Sequence, residues 1–150
     1  MSTEPRSRAQ RRHDTEHRLT HDVDVWVAST SADAAPYLVP LSFDWDGEAL
    51  LVATPTDSPT GRNLAATRRA RLALGHTRDV TMIDGEAEAL RIDALPLACG
   101  DRFAARTGFD PRALTTPYTW FRVSPRRIQA WREVDELPSR ELMREGRWLV

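Results

Sequence analysis

The chain has 150 residues, a net charge of −1, 41% hydrophobic residues and a single cysteine. That length and balance predict one globular domain, burying roughly 68–70% of its unfolded surface without help from disulfides or metals. The near-neutral charge excludes an overall basic field for nucleic acid, no apolar run approaches a membrane span, and Cys99 alone excludes an internal disulfide, so a cytoplasmic protein is expected.

In chain order, residues 1–13 are rich in Arg, Ser and Glu and predict a flexible arm, with the domain itself over 14–150. Asp14 to Asp22 has the pattern of a short polar helix. The period then changes to two, with Val23, Val25 and Val27 alternating with Asp24, Trp26 and Ala28 as in a strand. SADAAP makes a turn and YLVPLSFDW returns as a second strand. Asp46-Gly47 is a hairpin signal, and EALLVAT follows as a third strand.

Beyond Pro55, Thr60 is the expected N-cap of a helix over Gly61 to Arg69, with Leu64 facing inward. ARLALGH is a strand carrying Leu72 and Leu74 on one face. Arg78-Asp79 turns the chain into VTMIDGEAEALRI, a long strand with a bulge expected at Asp84-Gly85. LPLACGDRFAARTGF reads as a helix ended by Gly108. YTWFRVSPRRIQAWRE is the last strong strand, and the polar tail closes on Trp148-Leu149-Val150, which are expected to pack. Strands in this number, with three short helices between them, predict a mainly β (α+β) fold: a closed antiparallel barrel rather than parallel βαβ units.

His13-Asp14-Thr15-Glu16-His17 matches H-x-x-E-H, a zinc motif of peptidases, and His21 adds an imidazole one turn on. Charged neighbours and the lack of a carboxylate ligand on a second helix favour a solvated polar helix, so no metal site is assigned. Neither G-x-S-x-G nor G-x-G-x-x-G occurs, and Cys99 among Leu97, Ala98 and Gly100 reads as a small buried thiol. Arg68, Arg69 and Arg71 read as a solvated helix end.

The segment SPTGRN is richer in chemistry. Anion binding at a helix start uses free N–H groups, hydroxyl donors and a guanidinium. Ser58, Thr60, Gly61 and Arg62 supply these in sequence, and Asn63 adds an amide. Alone, the cluster fits an ordinary turn and N-cap equally well.

The order of DVWVASTSADAAPYLVPLSFDWDGEALLVATP, SPTGRNLAATRRARLALG and YTWFRVSPRRIQAWRE resembles the pyridoxamine 5′-phosphate oxidase-like split β-barrel superfamily. The subgroup it most resembles holds FMN-binding proteins and oxidoreductases using the deazaflavin coenzyme F420. The resemblance runs from about Leu19 to Arg132. It rests on Pro36 with Val39-Pro40, the triplet Arg62-Asn63-Leu64 after Ser58, and Pro125-Arg126-Arg127 with Trp131.

It implies a six-stranded split barrel that works as a homodimer, with FMN or F420 in a groove at the interface and a small-molecule substrate. It implies that Ser58, Thr60, Gly61, Arg62 and Asn63 clasp the cofactor phosphate. Pro40, Leu41, Ser42 and Phe43 would line its ring, and Thr54 would bond the ring's polar edge. Trp45 and Trp120 are candidate walls of a substrate pocket. Many relatives carry a lysine or arginine where this chain has Thr60, which leaves Arg62 as the nearby cation. The substrate-binding arginine motifs of the authentic oxidases are absent, so vitamin B6 synthesis is not implied. The expected function is hydride transfer between bound cofactor and a small organic substrate. The alternatives are a non-catalytic carrier or sensor of flavin, deazaflavin or haem, and a dimer that has lost its cofactor and acts through protein interactions.

Overall fold

Alternation builds the first strand. β1 (Asp24–Thr30) buries Val25 and Val27 and turns Asp24, Trp26 and Thr30 outward. The computed structural model describes residues 4–150, and in it β1 pairs antiparallel with β2 (Pro36–Trp45) in the register Trp26↔Pro40 and Ala28↔Leu38. The connection to β3 (Leu50–Pro55) is the expected hairpin, with Gly47 at φ 97° and the Asp46 carboxylate accepting from the Glu48 and Ala49 amides. Only glycine adopts that φ without strain.

After β3 come α2 (Pro59–Thr67), β4 (Arg69–His76) and β5 (Asp79–Arg91), whose turn is Thr77-Arg78, one residue earlier than expected. α3 (Leu97–Thr107) ends at Gly108 in the left-handed region, and β6 (Tyr118–Trp131) follows. The strand order is β3-β2-β1-β4-β5-β6, and β3 also pairs β6, which closes a six-stranded antiparallel barrel. The bulge falls where predicted: Asp84 faces Arg127 and Gly85 faces Pro125, so Arg126 has no partner residue across the ladder. β7 (Glu141–Arg144) and β8 (Arg147–Trp148) extend the sheet beyond β6 and were not foreseen.

Inside lie Val27, Phe43, Leu50, Leu64, Leu72, Ile83, Val123 and Ile128, all with 0% exposure. Each such side chain contributes about 1.5–3 kcal/mol of burial free energy. A second cluster sets Trp120 edge-on against Phe103, ring centroids 5.0 Å apart, and ties α3 to the wall of the barrel. The buried Asp44 carboxylate adds a polar tie, receiving Arg102 at 2.6 Å and Arg106 at 3.4 Å.

The N-terminal segment departs from expectation. α1 (Arg8–His21) starts six residues before Asp14, with Ser7 as its N-cap, so residues 8–13 are helical rather than a loose arm; the first three residues lie outside the described part. Its buried stripe is Arg11, Thr15 and Leu19, at i, i+4 and i+8. Arg11 donates to the Ala130 and Glu136 carbonyls at 3.1 and 3.0 Å, and Arg18 meets Asp79 at 2.8 Å. At the other end of the chain Trp148 packs on the core under Arg12, whereas Leu149 and Val150 are 41% and 39% exposed and do not pack as expected.

Candidate functional site

The start of α2 is assembled by a chain of hydroxyls. Ser58, not Thr60, is the N-cap: its Oγ accepts from the Gly61 amide at 3.0 Å and donates to the Pro55 carbonyl at 2.7 Å. With that proton committed, Thr54 Oγ1 donates to Ser58 Oγ at 3.0 Å. Capping by Ser58 displaces Thr60 into the first turn because Pro59 suits the opening helical position, where no N–H is needed. Gly61 is buried against the end of β3: a Cβ there would stand 2.5 Å from the Pro55 oxygen and 2.8 Å from the Thr56 oxygen.

The donors left over are at Thr60 and Arg62. Thr60 is 1% exposed, and its Oγ1 has no hydrogen-bond partner. A buried unpaired hydroxyl costs on the order of 1–3 kcal/mol, which a ligand oxygen that reached it would relieve. The helix dipole adds a partial positive charge at the same end. The Arg62 guanidinium is exposed and bends back to the Asp57 carbonyl. Asn63 points the other way, donating from Nδ2 to Ser29 Oγ at 3.1 Å across to β1.

Ser29 borders the first of two open grooves. This groove, about 650 Å³, runs from Ala28, Thr30 and Pro36 to Arg69, Arg71 and Arg126. A second of about 850 Å³ lies along Leu64, Thr67, Arg68 and Ala87, and the two share Arg69 and Glu86. Arg71 forms a fork with Asp84 at 2.6 and 3.1 Å, whereas Arg68 and Arg69 form no ion pair among the described residues. Arg68 caps α2 with φ 58° and Arg69 begins β4; all three arginines are exposed, as a solvated helix end requires, and they also border the grooves. Their charge was visible in the sequence; the groove was not, because it forms from strands distant along the chain.

The other sequence candidates divide by face. Pro40 is exposed on the outer side beside Trp26, and Ser42 is half-buried, donating to Asp24 at 3.0 Å. Leu41 is partly buried on the core, and Phe43 is wholly inside with the Arg106 guanidinium 4.8 Å from its ring centre. The Phe43 side chain therefore backs the strand and presents nothing to a bound molecule. Trp120 is buried in the second cluster against Phe103 of α3, its Nε1 donating to the Ile92 carbonyl at 3.3 Å, so it is core and not a pocket wall; Trp45 packs partly on the barrel core. His13, His17 and His21 are exposed, with the His17 and His21 rings stacked 4.1 Å apart. Among the described residues no group of three or more His, Cys, Asp or Glu is arranged to hold a metal ion. Cys99 is half-buried.

The displaced carboxylates, Asp14, Asp46, Asp110, Glu136 and Glu141, are all displaced downward, so none of them is held protonated near neutral pH for use as an acid. What the site offers is the donors of the first turn of α2 and an apolar strand surface.

The family model described as pyridoxamine 5′-phosphate oxidase matches residues 17–132. No curated protein matches the chain by sequence. Among solved structures, an F420 reductase is similar with a TM-score of 0.63 and 19% identity, over 75% of this chain and 94% of that one. A FAD-binding protein from Mesorhizobium loti has a TM-score of 0.65 and 17% identity, over 79% and 90%. A protein related to general stress protein 26, of the pyridoxinephosphate oxidase family, from Clostridium acetobutylicum has a TM-score of 0.59 and 14% identity, over 81% and 88%. At these identities the likeness is one of fold. No helix of the described residues is long and apolar enough to cross a membrane.

Proposed function

The chain belongs to the pyridoxamine 5′-phosphate oxidase family, and from that premise we propose that it is a homodimer that binds FMN or coenzyme F420 and transfers hydride between that cofactor and a small organic substrate in the cytoplasm. The observation that carries this reading is the partnerless, buried Thr60 hydroxyl in the first turn of α2, with the exposed Arg62 two residues on. In this reading Thr60 and Arg62 bond the cofactor phosphate, while Ser58 and Gly61 shape the turn and Asn63 ties it to β1. Thr54 holds Ser58 in place. Pro40 and Ser42 face the ring, with Leu41 and Phe43 supporting their strand from within. A bound flavin or deazaflavin supplies the hydride-accepting ring; the protein's part is to bind, orient and exclude water.

The dimer is supported by the outer face of β1, β2 and β4. Trp26 is 48% and Leu38 59% exposed, and the register sets Trp26 beside Pro40 and Ala73, and Leu38 beside Ala28. An exposed apolar patch of this kind marks an interaction surface. Ala28 and Pro36 belong to both this face and the 650 Å³ groove, so a second copy seated there would roof the groove. Trp26→Arg with Leu38→Glu is expected to convert the dimer to monomer in sedimentation at micromolar concentration; wild-type protein already monomeric under those conditions would refute the assembly.

Arg62→Ala tests the clasp. It is expected to weaken FMN or F420 binding by about tenfold or more, one charge-assisted hydrogen bond, with the melting temperature unchanged. Equal affinity in a titration of both proteins would place the phosphate elsewhere. The second reading, a carrier or sensor that does not turn over, rests on Thr60 standing where relatives place a cation. Oxidation of the bound reduced cofactor by candidate acceptors separates the two: turnover supports the enzyme, and its absence across acceptors supports the carrier.

A further inference from the structure

The first residue of α1 meets the β7 strand beside the end of β6. Together they border an open, shallow pocket of about 350 Å³ lined by Arg8, Arg127, Arg140 and Arg144, with Gln129 and one acid, Glu141. Four arginines and a single carboxylate thus line it. Glu141 is shared between Arg144 at 2.7 Å and Arg127 at 3.4 Å. Arg8 donates from Nη2 to the Glu141 carbonyl at 2.7 Å, and its buried Nε has no partner. Arg140 is tethered to the Leu137 carbonyl at 3.1 Å and leans over the Trp131 ring. The positive end of α1, a 14-residue helix, is at the same spot, because Arg8 is its first residue.

Such a set is not needed to hold the fold: Arg127 and Arg144 have side chains 45% and 64% exposed, and each meets Glu141 through one nitrogen only, Arg144 Nε on Oε1 and Arg127 Nη2 on Oε2. Planar guanidinium forks match the oxygens of phosphate groups in pairs. The volume lies at the lower end of the range for small-molecule sites, enough for a phosphate group with a compact body. Arg127 and Gln129 pair with Asp84 and Met82, and β4 and β5 separate the pocket from Trp26 and Leu38.

We propose that this pocket is a second anion site, separate from the α2 clasp, which binds a small molecule carrying a phosphate or pyrophosphate group by displacing Glu141 from Arg127 and Arg144. The displacement gives the site an unusual signature, since removing an acid tightens binding and removing its partners weakens it. Calorimetric titration of pyrophosphate into the full chain tests this, with the same protein melted to verify folding. The wild type is expected to bind pyrophosphate at this pocket in a salt-sensitive way. Arg127→Ala with Arg144→Ala should weaken binding by about tenfold or more, and Glu141→Gln should tighten it severalfold. Arg62→Ala should leave this binding unchanged. No saturable binding, binding indifferent to the arginine pair, or binding lost in Arg62→Ala alone would each overturn the proposal, the last by moving the anion to α2.

Discussion

Gly61→Ala is expected to lower the melting temperature by roughly 6–12 °C and to remove cofactor binding with it. The cause is local and steric. The added Cβ would sit 2.5 and 2.8 Å from two backbone oxygens, those of Pro55 and Thr56, and 3.2 Å from Ser58 Oγ. Backbone carbonyls at the end of a paired strand have no rotamer to retreat into, so α2 must move away from β3. Overpacking of this sort costs about 1–3 kcal/mol and occasionally more; at about 3 kcal/mol a domain of this length loses the temperature interval given. The same movement breaks the Ser58–Gly61 cap bond and carries Thr60 and Arg62 off their positions. Gly47→Ala is the comparison, because nothing lies within 4 Å of its Cβ and only its φ of 97° is strained. Thermal melts of both variants, with cofactor titration, check the claim. A Gly61→Ala protein melting within about 2 °C of wild type would show that α2 yields freely and is not the rigid clasp described.

Glu136 is expected to make the fold acid-sensitive. Its carboxylate is 2% exposed and takes the Arg6 guanidinium at 2.7 Å, the Arg6 amide at 3.0 Å and the Arg132 amide at 3.0 Å. Burial alone would raise its pKa, but the hydrogen bonds from Arg6 and the Arg132 amide outweigh burial and hold it down at about 2, against 4.5 when unfolded. A difference of that size corresponds to about 3 kcal/mol. Because the folded value is the lower one, the stabilisation is complete above pH 4.5 and is lost progressively as pH falls towards 2. Asp14, whose pKa is also lowered through Arg6 and Gln10 despite its burial, changes in the same direction. Glu136→Gln should therefore cost about 3 kcal/mol at pH 7, and the gap to wild type should close on acidification. Urea denaturation at pH 7, 4 and 3 measures it. Parallel stability curves for the two proteins would show that the pair contributes nothing specific.

Both predictions concern contacts that differ in how far the sequence reveals them. The barrel was legible because its strands alternate: Val25 and Val27, then Leu72 and Leu74, each put one face inward, and Asp46-Gly47 and Gly85 mark where the ladder turns and bulges. The start of α2 was legible as chemistry but shifted by two residues, since Ser58, Thr60 and Asn63 are all plausible caps until the strand before them positions one. α1 was read as beginning too late because its buried stripe contains Arg11 and Thr15 in place of apolar residues, and apolar periodicity cannot register an arginine buried on backbone carbonyls.

The sequence by itself determined the class of fold and the place of the hydroxyl and guanidinium cluster, because periodicity and turn chemistry are local. Only the tertiary structure decided which residues of that cluster remain free to bind. Ser58 and Thr54 are consumed by capping, Asn63 is turned towards β1, and Thr60 is left without a partner. It alone also decided that Phe43 faces the barrel interior, that Trp120 is buried against α3, and that the arginines of α1, β6 and β7 converge on one pocket. The reason is physical. Which way a side chain points within a strand follows from alternation, but which groups then meet depends on strand register and helix docking between segments far apart in the chain, 130 residues for Arg6 and Glu136.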